Sequence, residues 1–127
     1  MRSKAIFFVS LAFVILSSVH VLGADEKTEG RRVYLTYCSG CHGESGKGDG
    51  PAASSLPAKP ANHTDGNVMN QLSDKYLTAV VAKGGSAVGK SPIMPAWGAQ
   101  LKEKQIKEII SYIRSIAMPP YKPSETK

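Results

Sequence analysis

Cys38-Ser39-Gly40-Cys41-His42 is the stretch on which the rest of the chain turns. Two thiols three residues apart on a helix end lie on one face, and the histidine that follows is carried beside them. The motif closes an apolar-periodic segment, Glu26–Ser39, in which Gly30, Val33, Tyr34 and Tyr37 fall along one side. Beyond it, Gly40 to Asn67 is rich in Gly, Pro, Ala and Ser. It reads as an ordered loop with one short helix entered at Pro51. Ser73 is placed to cap a third helix with an apolar stripe of Tyr76, Leu77, Val80 and Val81, stopped at Gly84-Gly85. The last helix, Glu103–Ala117, has the clearest period: Ile106, Ile109, Ile110, Ile113 and Ala117, with Lys104, Lys107, Glu108 and Arg114 off the stripe. Pro119-Pro120 ends it, and a frayed tail runs to Lys127. No run alternates well enough to be a strand and no repeat is visible, so the fold class is all-α, about four helices with long irregular connections.

C-x-x-C-H is the attachment pattern of covalently bound haem. The two thiols reach the two vinyl groups of one porphyrin edge and form thioethers, and His42 is carried under the ring, where a neutral imidazole nitrogen binds iron. Its other ring nitrogen needs a carbonyl to fix the ring, and the Gly50/Pro51 backbone is the candidate. Cys38 and Cys41 are the only two cysteines, so no other pairing competes. Three further readings use the same residues. A redox-active dithiol of the thioredoxin kind needs strands around the motif, and none is apparent. A zinc site lacks a second C-x-x-C or an H-x-x-x-H. An inert disulfide is the third.

A second iron ligand must come from His63, Met69, Met94 or Met118. Met94 lies in Ser91-Pro92-Ile93-Met94-Pro95-Ala96-Trp97-Gly98, where flanking prolines hold a thioether at fixed distance, as a weak soft ligand requires. Met69 precedes the third helix and suits a core gap. Met118 sits at a helix end before two prolines. His63 lies in a turn-like stretch, Asn62-His63-Thr64-Asp65-Gly66, and would give bis-histidine iron.

The ends and the composition bound the function. Met1–Lys4 is basic and Ala5–Leu22 apolar except for three serines and His20, with Val21 and Gly23 at the −3 and −1 positions of a cut before Ala24. Residues 1–23 read as a cleaved secretory signal and 24–127 as the working domain. The competing reading is an uncleaved anchor, since a stretch of 18 residues just reaches spanning length. Either way the domain works outside the cytosol, where two thiols are oxidised or ligated. All three Phe lie in the first 23 residues, leaving a domain with one Trp and no Phe. A core so poor in aromatics leans on a disulfide, a metal or a cofactor. One small domain excludes a large multi-step enzyme and a polytopic membrane protein. Gly84-Gly85-Ser86-Ala87-Val88-Gly89-Lys90-Ser91 matches a phosphate-cradling loop by letter, but follows a helix and runs into Pro92, so no nucleotide is expected. Asn62-His63-Thr64 matches a glycosylation acceptor, and Asn62 reads instead as a turn residue.

The chain resembles the class I monohaem cytochromes c of bacterial type. The resemblance rests on Gly30-x-x-x-Tyr34-x-x-x-Cys38-Ser39-Gly40-Cys41-His42-Gly43, Gly46-Lys47-Gly48-Asp49-Gly50-Pro51, Met94-Pro95-Ala96-Trp97-Gly98 and Tyr112-Ile113-Arg114, spread in that order over residues 28–117. It implies a class I cytochrome c fold around one covalently bound haem c, with Cys38 and Cys41 as attachment points, His42 as proximal and Met94 as distal iron ligand. It also implies that Gly30 and Tyr34 cross the last helix near Tyr112. Two positions depart from the pattern. Lys102 stands where such proteins often have a Ser or Thr cap, which loosens that helix start by ~1 kcal/mol. His63 stands where an aromatic often occurs.

The formal charge is +6 over the whole chain and +4 without residues 1–23, and two haem propionates lower it further. Lys47, Lys59, Lys83 and Lys90 fall in or beside loops expected to rim the haem. They are placed either to steer an acidic redox partner or simply to keep the surface solvated. Nucleic acid has no support beyond the basic balance. The expectation is therefore an exported, periplasmic one-electron carrier and not an enzyme. It would exchange electrons with a redox protein donor and acceptor, and meet a membrane only if Ala5–Leu22 stays uncleaved. The alternatives are a membrane-tethered subunit of an oxidase or dehydrogenase complex, and a haem enzyme or gas sensor in which Met94 dissociates.

Overall fold

The structure is a computed structural model that describes residues 25–123. The secretory signal read over 1–23 lies outside the described residues. Five α-helices follow one another: α1 Asp25–Tyr37, α2 Ser39–His42, α3 Gly66–Met69, α4 Asp74–Lys83 and α5 Glu103–Ile116, with 3-10 turns at Ala53–Ser55 and Gly85–Val88. The described residues form no named strand, and a single parallel bridge joins Asp65 to Met118. The expected class is correct, and the count rises from about four to five. The added helices are the four-residue α2 and α3, each too short to leave a periodic signal. For α3, the sequence offers a cap. Its N-cap Asp65 accepts from the Asn67 N–H. The helix expected at Pro51 is the 3-10 turn Ala53–Ser55.

The core is built where α1 crosses α5. Val33, Tyr34, Ile106, Ile109, Ile110, Tyr112, Ile113 and Ala117 are buried together, and Tyr34 and Ile109 are fully enclosed. The five-residue stripe on α5 thus does what its spacing requires. The closest approach is at Gly30. A Cβ there would overlap the Glu108 carbonyl oxygen and lie 2.7 Å from the Glu108 carbonyl carbon and 3.2 Å from Tyr112 Cβ. Only a residue without a side chain lets the two backbones come this near, and Tyr34 then meets Tyr112 with ring centroids 5.1 Å apart. Leu77 and Val81 of α4 and Leu101 complete the cluster, with Met69 filling the gap expected of it.

Local chemistry sets the helix ends. Ser73 Oγ accepts from the Tyr76 N–H at 3.1 Å, and α4 stops at Gly84, whose φ of +81° suits glycine. At α5 the Lys102 side chain offers no acceptor. The Gln105 side-chain oxygen instead accepts from the Lys102 N–H at 3.0 Å, which is half of a capping box and offsets part of the missing cap.

Arg114 belongs to α5 but is buried. Its guanidinium donates to the carbonyls of Met69 (2.6 Å) and Leu72 and to Asp74 Oδ1 (2.8–2.9 Å), and lies 3.8 Å from the Tyr121 ring centroid. One side chain thus ties α5 to the α3–α4 junction and to the tail. Arg114→Ala would strand two carbonyls and is expected to cost about 3 kcal/mol. Asp74 is 61% exposed, so Asp74→Ala should cost about 1 kcal/mol or less. Urea unfolding of the two variants checks this order. Equal losses would mean that the ion pair, not the carbonyl contacts, carries the stabilisation.

Candidate haem site

The Cys38–His42 stretch forms a tight helical corner. The Cys38 N–H donates to Tyr34 O at 2.8 Å, and the His42 and Cys41 N–H groups both reach Cys38 O, at 2.9 and 3.2 Å. Cys38 is thus held at the end of α1 and Cys41 one turn on. Both are free thiols, Cys38 buried and Cys41 partly so. Burial pushes the Cys38 thiol up to about 12. A redox-active dithiol needs the opposite shift.

The glycine-rich segment after His42 folds back against this corner. The Gly48 N–H donates to His42 O (2.8 Å), Gly50 N–H to Cys41 O (3.1 Å) and Ala52 N–H to Gly40 O (2.9 Å). A Cβ on Gly50 would lie 2.5 Å from both the Ser39 and Gly40 carbonyl oxygens. The loop therefore seals the carbonyl end of α2 in place of water. It also decides what His42 meets. The expected Gly50/Pro51 carbonyl is not the partner of the His42 ring. The His42 Nδ1–H donates instead to the Ala61 carbonyl at 3.1 Å, from a segment laid beside the loop by the bond from His63 N–H to Gly46 O (2.7 Å). A carbonyl can only accept, so Nδ1 carries the proton and Nε2 keeps its lone pair. Burial holds the His42 pKa below its usual value, opposed in part by the Ala61 bond. His42 is a neutral imidazole aimed by its backbone partner, as an iron ligand must be.

His63 lies in the turn-like stretch its neighbours spell. The turn is there, with Asn62 Oδ1 accepting from the Thr64 N–H (3.0 Å) and hydroxyl (2.7 Å), but His63 points inward and is buried. Its ring stacks on His42, centroids 4.3 Å apart and planes 17° from parallel, and its Nδ1 shares a 2.9 Å hydrogen bond with Tyr34 Oη. Rings lying side by side cannot oppose their nitrogens across one iron, so His63 does not fit the sixth-ligand role. Burial and the adjacent His42 push its pKa down to about 3.

Met94 is carried on a loop tied to the end of α4. The Gly85 N–H donates to Met94 O (3.0 Å), Trp97 N–H to Val81 O (2.9 Å) and Gly98 N–H to Ala82 O (3.0 Å), so the proline-flanked loop hangs on the end of α4. A Cβ on Gly98 would lie 2.7 Å from Ala82 O, which shows how closely the loop is drawn in. Trp97 packs edge-on against Tyr37, centroids 5.1 Å apart, and so joins the Met94 loop to the residue preceding Cys38. Met94 is half-buried, Met69 is sealed in the core, and Met118 is 65% exposed at the tail. The loop match at Gly84–Ser91 forms a 3-10 turn after a helix, not the strand-to-helix loop that cradles phosphate.

A family model described as cytochrome c oxidase, cbb3-type, subunit III matches residues 25–113, and the chain belongs to that family of cytochrome c domains. Among curated proteins it is similar to the cbb3-type cytochrome c oxidase subunit FixP of Azorhizobium caulinodans, at 27% identity over 88 residues, which is 69% of this chain and 26% of that one. The chain thus spans about a quarter of the length of that relative. Among solved structures it is similar to the Kuenenia stuttgartiensis reducing HAO-like protein complex Kustc0457/Kustc0458, with TM-score 0.57 and 25% identity over 76% of this chain and 47% of that one. It also matches the KustC0563 c-type cytochrome, with TM-score 0.57 and 20% identity over 69% of this chain and 96% of that one. The fold is that of a c-type cytochrome, and the family implies haem c.

The donor set fits that cofactor. Two unpaired thiols sit one turn apart, and the adjacent imidazole has Nδ1 occupied by Ala61, leaving Nε2 to bind a metal. A half-buried thioether, Met94, hangs on a loop held by backbone bonds to Gly85, Val81 and Ala82. Among the described residues no group of three or more His, Cys, Asp or Glu gathers as a metal-binding cluster.

Proposed function

We propose that the chain is a one-electron carrier holding a single haem c through thioethers from Cys38 and Cys41, with His42 as proximal and Met94 as distal ligand. The observation that carries this reading is the bond from His42 Nδ1–H to Ala61 O in the same helical turn that bears both thiols. The bound haem supplies a one-electron ferrous/ferric couple. The protein's part is to keep the donor atoms still. Ala61 locks the imidazole, and the bonds to Gly85, Val81 and Ala82 lock the Met94 loop. A Met/His pair favours the reduced form and raises the potential. The exposed Lys47, Lys59, Lys83 and Lys90 supply positive charge for an acidic protein partner. The reading extends to a domain exported to the periplasm after cleavage before Ala24, and to carriage of electrons with no catalytic turnover of its own.

Absorption spectra test the ligands. The ferric wild-type protein is expected to show a low-spin spectrum with a thioether-to-iron band near neutral pH, and Met94→Ala to lose that band, turn high-spin and fall in potential. A Met94→Ala spectrum identical to wild type would assign the sixth position elsewhere.

The similarity to a cbb3-type oxidase subunit favours a second reading, in which Ala5–Leu22 remains as a tether to an oxidase complex. N-terminal sequencing of the purified protein separates the two. A start at Ala24 or Asp25 gives a free carrier, and an intact Met1 gives the tether.

A further inference from the structure

His63 serves neither as a ligand nor as an exposed turn residue, yet it is buried at the centre of the proximal side. Three contacts hold it. Its N–H donates to Gly46 O at 2.7 Å, its Nδ1 is bonded to Tyr34 Oη at 2.9 Å, and its ring face covers that of His42 at 4.3 Å. Tyr34 is itself immobile, fully enclosed between α1 and α5 and packed on Tyr112. Space for the arrangement depends on Gly46, at φ +81°, where a Cβ would lie 2.6 Å from Ile116 Cδ1 and 3.4 Å from His63 Cβ. A chain of contacts thus runs from the α1–α5 crossing through Tyr34 and His63 to the imidazole of His42.

The bond to Ala61 alone leaves the imidazole one freedom. A single N–H···O contact fixes the direction of Nδ1, but permits the ring to tilt about the line joining Nδ1 to its acceptor. A second ring lying flat on the first removes that tilt. We propose that His63 is a positioning residue that clamps the plane of the proximal imidazole, with Tyr34 holding the clamp. The proposal rests on His42 being the proximal iron ligand. Partners one step beyond a metal ligand commonly tune its orientation and basicity, and stacked aromatic pairs contribute beyond their buried area. Here the stacking partner is a second histidine tied to the helix crossing, so the same contact that closes the core also sets the ligand plane.

Electron paramagnetic resonance of the ferric holoprotein reads that plane, because the rhombic splitting of a low-spin haem depends on how the axial imidazole lies over the iron. In His63→Leu, which keeps volume but has no ring, the g values are expected to shift and broaden and the potential to move. In His63→Phe, which restores a flat ring but not the bond to Tyr34, they are expected to return only part of the way to wild type. Thermal stability is followed in parallel. A leucine variant that loses stability while keeping wild-type g values and potential would overturn the proposal, leaving His63 as core packing. Should His63→Leu fail to retain haem, Tyr34→Phe carries the test, since it releases Nδ1 and leaves the stack in place. A broadened signal supports the clamp, and one as sharp as wild type overturns it. A wild-type protein with no histidine-ligated low-spin signal would instead defeat the underlying assignment of His42, which keeps the two failures apart.

Discussion

The Cys38→Ala/Cys41→Ala double variant is expected to come out of an acid–acetone wash colourless, with the mass of its polypeptide alone, while wild type keeps its colour and carries one haem adduct. These are the only two sulfhydryls in the sequence, and both are unpaired and one turn apart, so removing them removes every covalent link available. The consequence should reach the fold. The core of the described domain is aliphatic, with Tyr34 and Tyr112 as its buried aromatics, and all three Phe lie in residues 1–23. A small domain so furnished depends on its prosthetic group for buried apolar area. Helicity of the double variant, followed by circular dichroism, should fall well below that of the holoprotein and melt without a sharp transition. Replacing the buried Cys38 alone removes one small side chain, which costs about 1 kcal/mol, so unfolding on that scale would trace to the missing haem. Double-variant protein that stays coloured through the wash would refute thioether attachment outright.

The second large effect is expected at a glycine far from the iron ligands. Gly30→Ala should destabilise the protein although alanine is the better helix former. Propensity favours alanine by about 1 kcal/mol. Against that, the added Cβ would overlap the Glu108 carbonyl oxygen and lie 2.7 Å from its carbon. The obstacle is backbone of α5, which cannot rotate aside, so the helices must separate. Overpacking of this kind costs about 3 kcal/mol or more where the neighbour cannot yield. The separation would also loosen Val33, Tyr34 and Ile109, which fill the crossing. A net loss of about 2 kcal/mol or more lowers the melting temperature of a domain this size by roughly 10 °C. Thermal and urea unfolding of the holoprotein measure it. An alanine variant as stable as wild type would mean that α1 and α5 do not meet backbone to backbone. Tyr34 also holds His63, so the same variant should disturb the ferric resonance signal as His63→Leu does, linking a packing defect to the site.

Much of the candidate site is legible in a short stretch of residues, since a helical turn alone brings Cys38, Cys41 and His42 together. The isoleucine stripe of α5 announces its own buried face, and Ser73, Gly84 and the paired prolines mark helix ends through local hydrogen bonding and backbone freedom. The proline-flanked Met94 is legible as a rigid segment, and Met69 as core. Other features leave no such mark. α3 is one turn long and cannot show a period. Gly50/Pro51 look like the natural carbonyl partners for His42 along the chain, but the fold brings the Ala61 carbonyl to its Nδ1–H instead. His63, in a sequence that spells a turn, does form the turn and still buries its ring, because the Gly46 carbonyl and Tyr34 draw it inward.

Spacing along the chain by itself determined that Cys38, Cys41 and His42 share one helical turn, the all-helical class and which faces of α1, α4 and α5 are apolar. These follow from the 3.6-residue period and from caps that act within a few residues. Tertiary structure alone decided which carbonyl orients His42, which ring lies against it, and that Arg114 bolts α5 to the α3–α4 junction. Each of those contacts joins residues about 20 to 45 positions apart. Its existence depends on how closely two backbones pass, which is governed by side chains as small as the single missing one at Gly30.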